Sequence, residues 1–122
     1  RTQPTILLVA DQKGAKQIEP WVKAVKKNYA GHVSLLGVAN VGGAPGLLQN
    51  MIRKKFRSKH PYSILLDWSG DLPKRLHCTK DVVNVFLLDV SGRVVAVEKG
   101  DCLPASWQNI SDAVKVLTPN AK

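Results

Sequence analysis

Residues 5–10, TILLVA, are apolar almost without interruption, the pattern of a short strand buried on both faces. The period then changes. Ala15, Ile18, Trp21, Val22 and Val25 recur at helical spacing over residues 15–27, and Lys16, Lys23, Lys26 and Lys27 fall on the opposite face. Pro20 lies inside that segment, and its missing N–H predicts a kink. VSLLGVA (33–39) is a second buried strand, and VGGAPG (41–46) is a turn by composition. A further helix is expected from about Gly46, with Leu47, Leu48, Met51, Ile52 and Phe56 on its apolar face. SILLD (63–67) is a third strand, followed by a short helical turn around 71–77.

VVNVFLLD (82–89) and RVVAVE (93–98) flank Asp89-Val90-Ser91-Gly92, which reads as an antiparallel hairpin with Gly92 at positive φ. Pro104 opens a last helix, with Trp107, Ile110, Val114 and Leu117 as its buried stripe. The order is β-α-β-α-β-(α)-β-β-α. Strands alternating with helices imply parallel crossovers, and the final hairpin makes the sheet mixed. The expected architecture is one α/β domain over residues 1–122, with a five-stranded mixed sheet, helices on both faces, a core over about 5–118 and a tail at 119–122.

The bulk numbers narrow the function classes only slightly. The chain has 122 residues, enough for a single core, and a net charge of +9 from 18 Lys+Arg against 9 Asp+Glu. That charge favours anionic partners in general and equally serves solubility. No apolar run approaches the roughly 20 residues of a membrane-spanning helix. Beginning at Arg1, the chain reads as a processed or trimmed form. No P-loop, nucleophile elbow or HExxH pattern occurs, so nucleotide and hydrolase chemistry find no support.

VFLLDVSGRVVAVEKG (85–100) resembles the terminal hairpin of the thioredoxin-like superfamily, in its TlpA/redoxin-type branch, through Phe86, Leu88, Asp89, Gly92, Arg93 and Gly100. ILLDWSGDLPKRL (64–76) resembles the segment that precedes it, and the helix with Pro20 resembles the family's kinked active-site helix. GAKQIEPWVKAVK with the NVGGAPG turn is similar to the YtfJ-like exported proteins, which share the fold and lack its cysteine pair. The resemblance implies a thioredoxin-like fold over roughly residues 5–118 and export to a bacterial periplasm.

It also places the family's functional positions. The two redox cysteines fall at Gln12 and Ala15, the buried acid ahead of them at Ile6, and the cis-proline at Val83. Dithiol exchange needs a thiolate at a helix N-terminus and a second thiol to resolve the mixed disulfide. Gln12 and Ala15 supply neither. A cis peptide bond before Val83 would cost about 2.5–4 kcal/mol, so a trans bond is expected. The resemblance therefore implies a protein without the usual CxxC site; no cofactor or metal is expected.

The remaining candidates are few. Cys78 and Cys102 lie in loops that border the same end of the sheet in this fold, so they form a redox pair, a structural bridge or two separate thiols. His77, Cys78 and Cys102 lack ligand-type spacing, which leaves a soft metal site poorly supported. His32 and His60 read as surface residues. Arg53, Lys54, Lys55, Arg57 and Lys59 form the densest basic run, a solvated helix face or an anion contact, and the exposed aromatics of single-strand binders are missing there. Lys13-Gly14 could hold a small anion on free backbone N–H groups. Trp21 and Trp107 are expected in the core, and Trp68 over the sheet edge or against a partner.

The leading expectation is a binding or accessory module for a protein or peptide. Its groove is expected to include Asp11, Gln12, Lys13, Gly14, Asp81, Val82, Val83, Gly100 and Asp101. The alternatives are an atypical thiol oxidoreductase or redox sensor using Cys78 and Cys102, and an anion or nucleic-acid binder using the 53–59 face. Nucleic acid is the less favoured partner.

Overall fold

The structure is a computed structural model and describes residues 3–40, 63–67 and 74–118. Its sheet has five strands: β1 (Thr5–Ala10), β2 (Ser34–Asn40), β3 (Ser63–Asp67), β4 (Asn84–Leu88) and β5 (Val94–Lys99). Their spatial order is β3-β2-β1-β4-β5. The pairs β1/β2 and β2/β3 are parallel, whereas β1/β4 and β4/β5 are antiparallel. This is the mixed sheet expected from the alternation of elements. The helix expected over 46–57, and with it the basic run 53–59, His60 and Trp68, lies outside the described residues.

Helices α1 (Ile18–Tyr29) and α2 (Pro104–Leu117) cover one face of the sheet. There Ile6, Leu8, Val85 and Leu87 pack against Trp21, Val22, Val25, Ile110 and Val114, forming the larger core. Leu7, Val9, Val38 and Phe86 form a second core on the other face, with Leu76 and Cys78 against it. Every residue of β1 is buried, which is why its sequence shows no polar alternation.

Pro20 behaves differently from expectation. Residues Gly14–Gln17 form a 3-10 turn that passes into α1 at Ile18. Pro20 thus occupies the first turn of α1, where a helix has no use for its N–H. The irregularity takes the form of a change of helix type ahead of the proline.

The hairpin places Gly92 at φ 89°, as expected. Asp89 fixes the turn: its Oδ1 accepts from Ser91 Oγ (2.7 Å), Arg93 N (2.9 Å) and Ser91 N (3.0 Å). The Ser91 hydroxyl, then the Arg93 N–H, hold that carboxyl below its ordinary pKa. Pro104 opens α2, with Ile110 and Val114 fully buried and Trp107 and Leu117 partly so.

Candidate functional site

Asp11, Gly14, Gln17, Asp81, Val82, Val83 and Gly100 meet at one end of the sheet, where β1 and β5 end and β4 begins. Gly100 N donates to Val83 O (2.8 Å), joining the exit of β5 to the entry of β4. Trp21 Nε1 donates to Gly100 O (2.9 Å), so α1 is anchored to the same junction.

Asp11 ties two loops together. Its Oδ1 accepts from Gly14 N (2.8 Å) and its Oδ2 from Asp81 N (2.8 Å). Gln17 reaches across from the 3-10 turn, and its Oε1 accepts from Val83 N (3.0 Å). Gly14 is buried against the backbone of Val82, so closely that a Cβ there would lie 2.5 Å from Val82 C and O. Asp11, Gly14, Gln17, Asp81, Val82, Val83 and Gly100 are therefore one assembly. The backbone donors at Asp81 and Val83, within the stretch expected to line a groove, are occupied by Asp11 and Gln17.

Two further side chains hold the loop 77–83. Asn84 is 1% exposed at the start of β4. Its Oδ1 accepts from Thr79 N (2.8 Å), and its Nδ2 donates to Thr79 O (2.9 Å) and Val82 O (3.2 Å). Lys99 Nζ donates to Thr79 Oγ1 (2.8 Å) and His77 O (3.3 Å). These tethers hold a loop in which His77 (φ 54°) and Asp81 (φ 66°) both adopt left-handed backbone conformations. Asn84→Ala should destabilise the fold by about 1–3 kcal/mol, because it leaves Thr79 and Val82 backbone groups without their partner in a part-buried loop. Urea denaturation of the variant checks this.

Gln12 is exposed and Ala15 is partly buried. The structure contains no cis peptide bond among the described residues, so the bond before Val83 is trans. Ile6 is fully buried in the larger core. Lys13 and Asp101 are exposed at the rim, and Val82 is half-buried.

Cys78 and Cys102 are free thiols, and the fold does not bring them together. Cys102 packs on the helix-covered face and Cys78 on the opposite one. Burial pushes both thiol pKa values up, and only at Cys78 does a nearby charge, Lys99, pull the other way. Among the described residues, no three His, Cys, Asp or Glu side chains gather where a metal ion could sit. His77 and His32 are exposed.

Gln17, Asn84 and Lys99 were not among the residues expected here. Asn84 did leave a signal: it interrupts an apolar run, and a polar residue kept inside a buried strand needs partners. Gln17 and Lys99 left none, since each looks like an ordinary surface residue.

No protein-family model matches the sequence, and no curated protein sequence does. Solved structures do match. StoA from Bacillus subtilis aligns with a TM-score of 0.62 at 21% identity, over 91% of this chain and 84% of that one. The exposed lipoprotein thioredoxin Etrx1 of Streptococcus pneumoniae aligns with a TM-score of 0.69 at 13% identity, over 94% of this chain and 85% of that one. The fold is the thioredoxin fold. The N-terminal domain of PilB from Neisseria gonorrhoeae aligns with a TM-score of 0.64 at 16% identity, covering 100% of this chain and 80% of that one. At these identities the likeness is one of architecture, and function has to be argued from the site.

Proposed function

We propose that this chain is a thioredoxin-fold binding module that engages a protein or peptide partner and carries out no dithiol-disulfide exchange. The observation behind this reading is the tethered sheet end. Where the fold's redox members need a reactive thiol at a helix start, Asp11 and Gln17 instead lock the facing loop by its backbone. A peptide pairing along residues 81–83 would have to displace one of those side chains. Contact at this end is therefore made by exposed side chains such as Gln12, Lys13 and Asp101. The separation of Cys78 from Cys102 and their raised pKa values support the same reading, because the thiolate is the reactive form. Among the described residues no helix is long and apolar enough to cross a membrane. The proposed setting is the bacterial periplasm or another exported location, in line with the resemblance and with Etrx1 being an exposed lipoprotein.

Alkylation followed by intact mass measurement tests the chemistry. Two free thiols are expected with or without prior reduction. Each should react more slowly than free cysteine at about pH 8, and faster as pH rises through the elevated pKa. A Cys78–Cys102 bridge that forms with oxidant and reopens with mild reductant would overturn the proposal in favour of a thiol oxidoreductase.

A further inference from the structure

The exposed large apolar side chains are unevenly distributed. Among the described residues they are Val90, Val94, Val95, Val97, Leu103 and Val116, and the first four share one hairpin. Val97 pairs with Phe86 across the ladder, and Val94 with Leu88. Paired residues of adjacent strands share a sheet face. The valines therefore extend the second core outward: Phe86 is 3% exposed, whereas Val97 is 40% and Val94 45% exposed. Among the described residues, the apolar surface thus runs on from the buried Phe86 to the exposed valines of β5.

Cations frame that strip. Leu76 and Cys78 pack on the same face, which brings the loop 74–80 there with Lys74, Arg75 and Lys80 exposed. Lys99 reaches over the face to Thr79 and His77, and Arg93 is exposed at the opposite end of β5. The nearby carboxylates Asp81, Asp89 and Glu98 are fewer than the cations Lys74, Arg75, Lys80, Arg93 and Lys99, and Glu98 accepts from Asn109 of α2 on the other face.

The edge itself is guarded. A register shift between Leu87 and Leu88 bulges the β4/β5 ladder, and Lys99 closes the strand, two devices that discourage strand addition. Among the described residues, nothing comparable guards the face. A second copy of this chain is disfavoured as occupant, because each copy carries a net charge of +9.

We propose that the Val94–Val97 strip with its basic frame is an interaction surface for a protein partner that presents an amphipathic helix with acidic flanks. The valines meet the helix's apolar stripe, and Arg75, Lys80 and Arg93 meet its carboxylates. This surface shares Lys99 and part of the loop 77–83 with the sheet end but is read through the β5 valines, so a failure of the peptide to bind there leaves the binding-module reading standing.

The test is a titration of the 15N-labelled full chain with a synthetic amphipathic helix carrying a Leu stripe flanked by Glu, and with its twin carrying Lys in place of Glu. The acidic peptide is expected to shift the amides of Val94, Val95, Val97 and the loop 74–80. Its affinity should fall about tenfold or more when salt is raised past the point where the Debye length drops below ~5 Å. Val97→Asp, at an exposed position, should abolish binding with the melting curve retained, and Arg75→Glu with Arg93→Glu should weaken it. Equal binding of both peptides, shifts centred elsewhere, or no shifts at ~1 mM peptide would overturn the proposal. So would binding to anionic phosphatidylglycerol vesicles in place of the peptide.

Discussion

Trp21→Ala should lower the stability of this domain by about 3–5 kcal/mol, the range for removing a large aromatic side chain from a packed core. Native domains are stable by only about 5–15 kcal/mol, so the variant would lose a large share of its folded population's margin. Trp21 is 0% exposed, and its ring lies 6.4 Å from that of Trp107, at an interplanar angle of 59°. Trp107 in turn lies 6.0 Å from the ring of Tyr29, whose hydroxyl is 2.6 Å from Ser111 Oγ. The aromatic group therefore joins α1 to α2. Its polar end does a second job, because Nε1 donates to Gly100 O at the sheet end. Trp21→Phe separates the two roles. It keeps most of the apolar volume and deletes the donor, and should be the milder change at about 1–3 kcal/mol. Denaturant titrations with an unchanged slope would report stability alone. A Trp21→Ala variant within about 1 kcal/mol of the parent would contradict the placement of this residue at the centre of the core.

Among the described elements, the core and the succession of strands and helices were legible because they rest on periodicity. TILLVA shows no alternation, and both of its faces are indeed buried. Trp21, Val22 and Val25 recur at helical spacing and face the sheet. The Asp89–Gly92 turn was legible because only glycine adopts the φ that Gly92 shows without strain. Pro20 misled, since its effect depends on where the helix starts, and periodicity locates helix ends poorly. The tethers at the sheet end were beyond reach for a different reason. The bonds of Asp11 to Asp81 and Gln17 to Val83 join residues far apart in sequence. Nothing in a local window distinguishes such a glutamine from a solvated one.

The same contrast applies to the cysteines. Cys78 precedes β4 and Cys102 follows β5, but the two side chains pack on opposite faces of the sheet. Whether a residue before or after a strand turns to one face or the other is set by the backbone at that point. Cys78 directly follows His77, which has a positive φ. Sequence proximity to a shared edge therefore said little about the distance between the thiols.

Gly14 makes the sharpest test of the tethered sheet end. Gly14→Ala should destabilise the fold by about 3 kcal/mol, the upper end of what overpacking usually costs. Gly14 does not owe its identity to a left-handed backbone: among the described residues the glycines with positive φ are Gly31, Gly92 and Gly100, where an added Cβ would meet nothing within 4 Å. At Gly14 the limit is space. A Cβ would lie 2.5 Å from Val82 C, 2.5 Å from Val82 O and 2.9 Å from Val83 N. These are backbone atoms, so no side-chain rotation relieves the clash. The loop 79–83 must move instead, and Asp11 and Gln17 oppose that movement by holding Asp81 and Val83. Separation of the loops would also break the short bonds that Asn84 makes to Thr79 and Val82. The expected signature is therefore wider than a loss of stability: the amide resonances of residues 79–84 should shift while those of the Asp89–Gly92 turn stay in place. Lys13→Ala, at the exposed neighbour, supplies the control and should change stability by no more than about 0.5 kcal/mol. If Gly14→Ala were as mild as Lys13→Ala, the loops would be free to part, and the sheet end would be an open groove able to receive a peptide backbone.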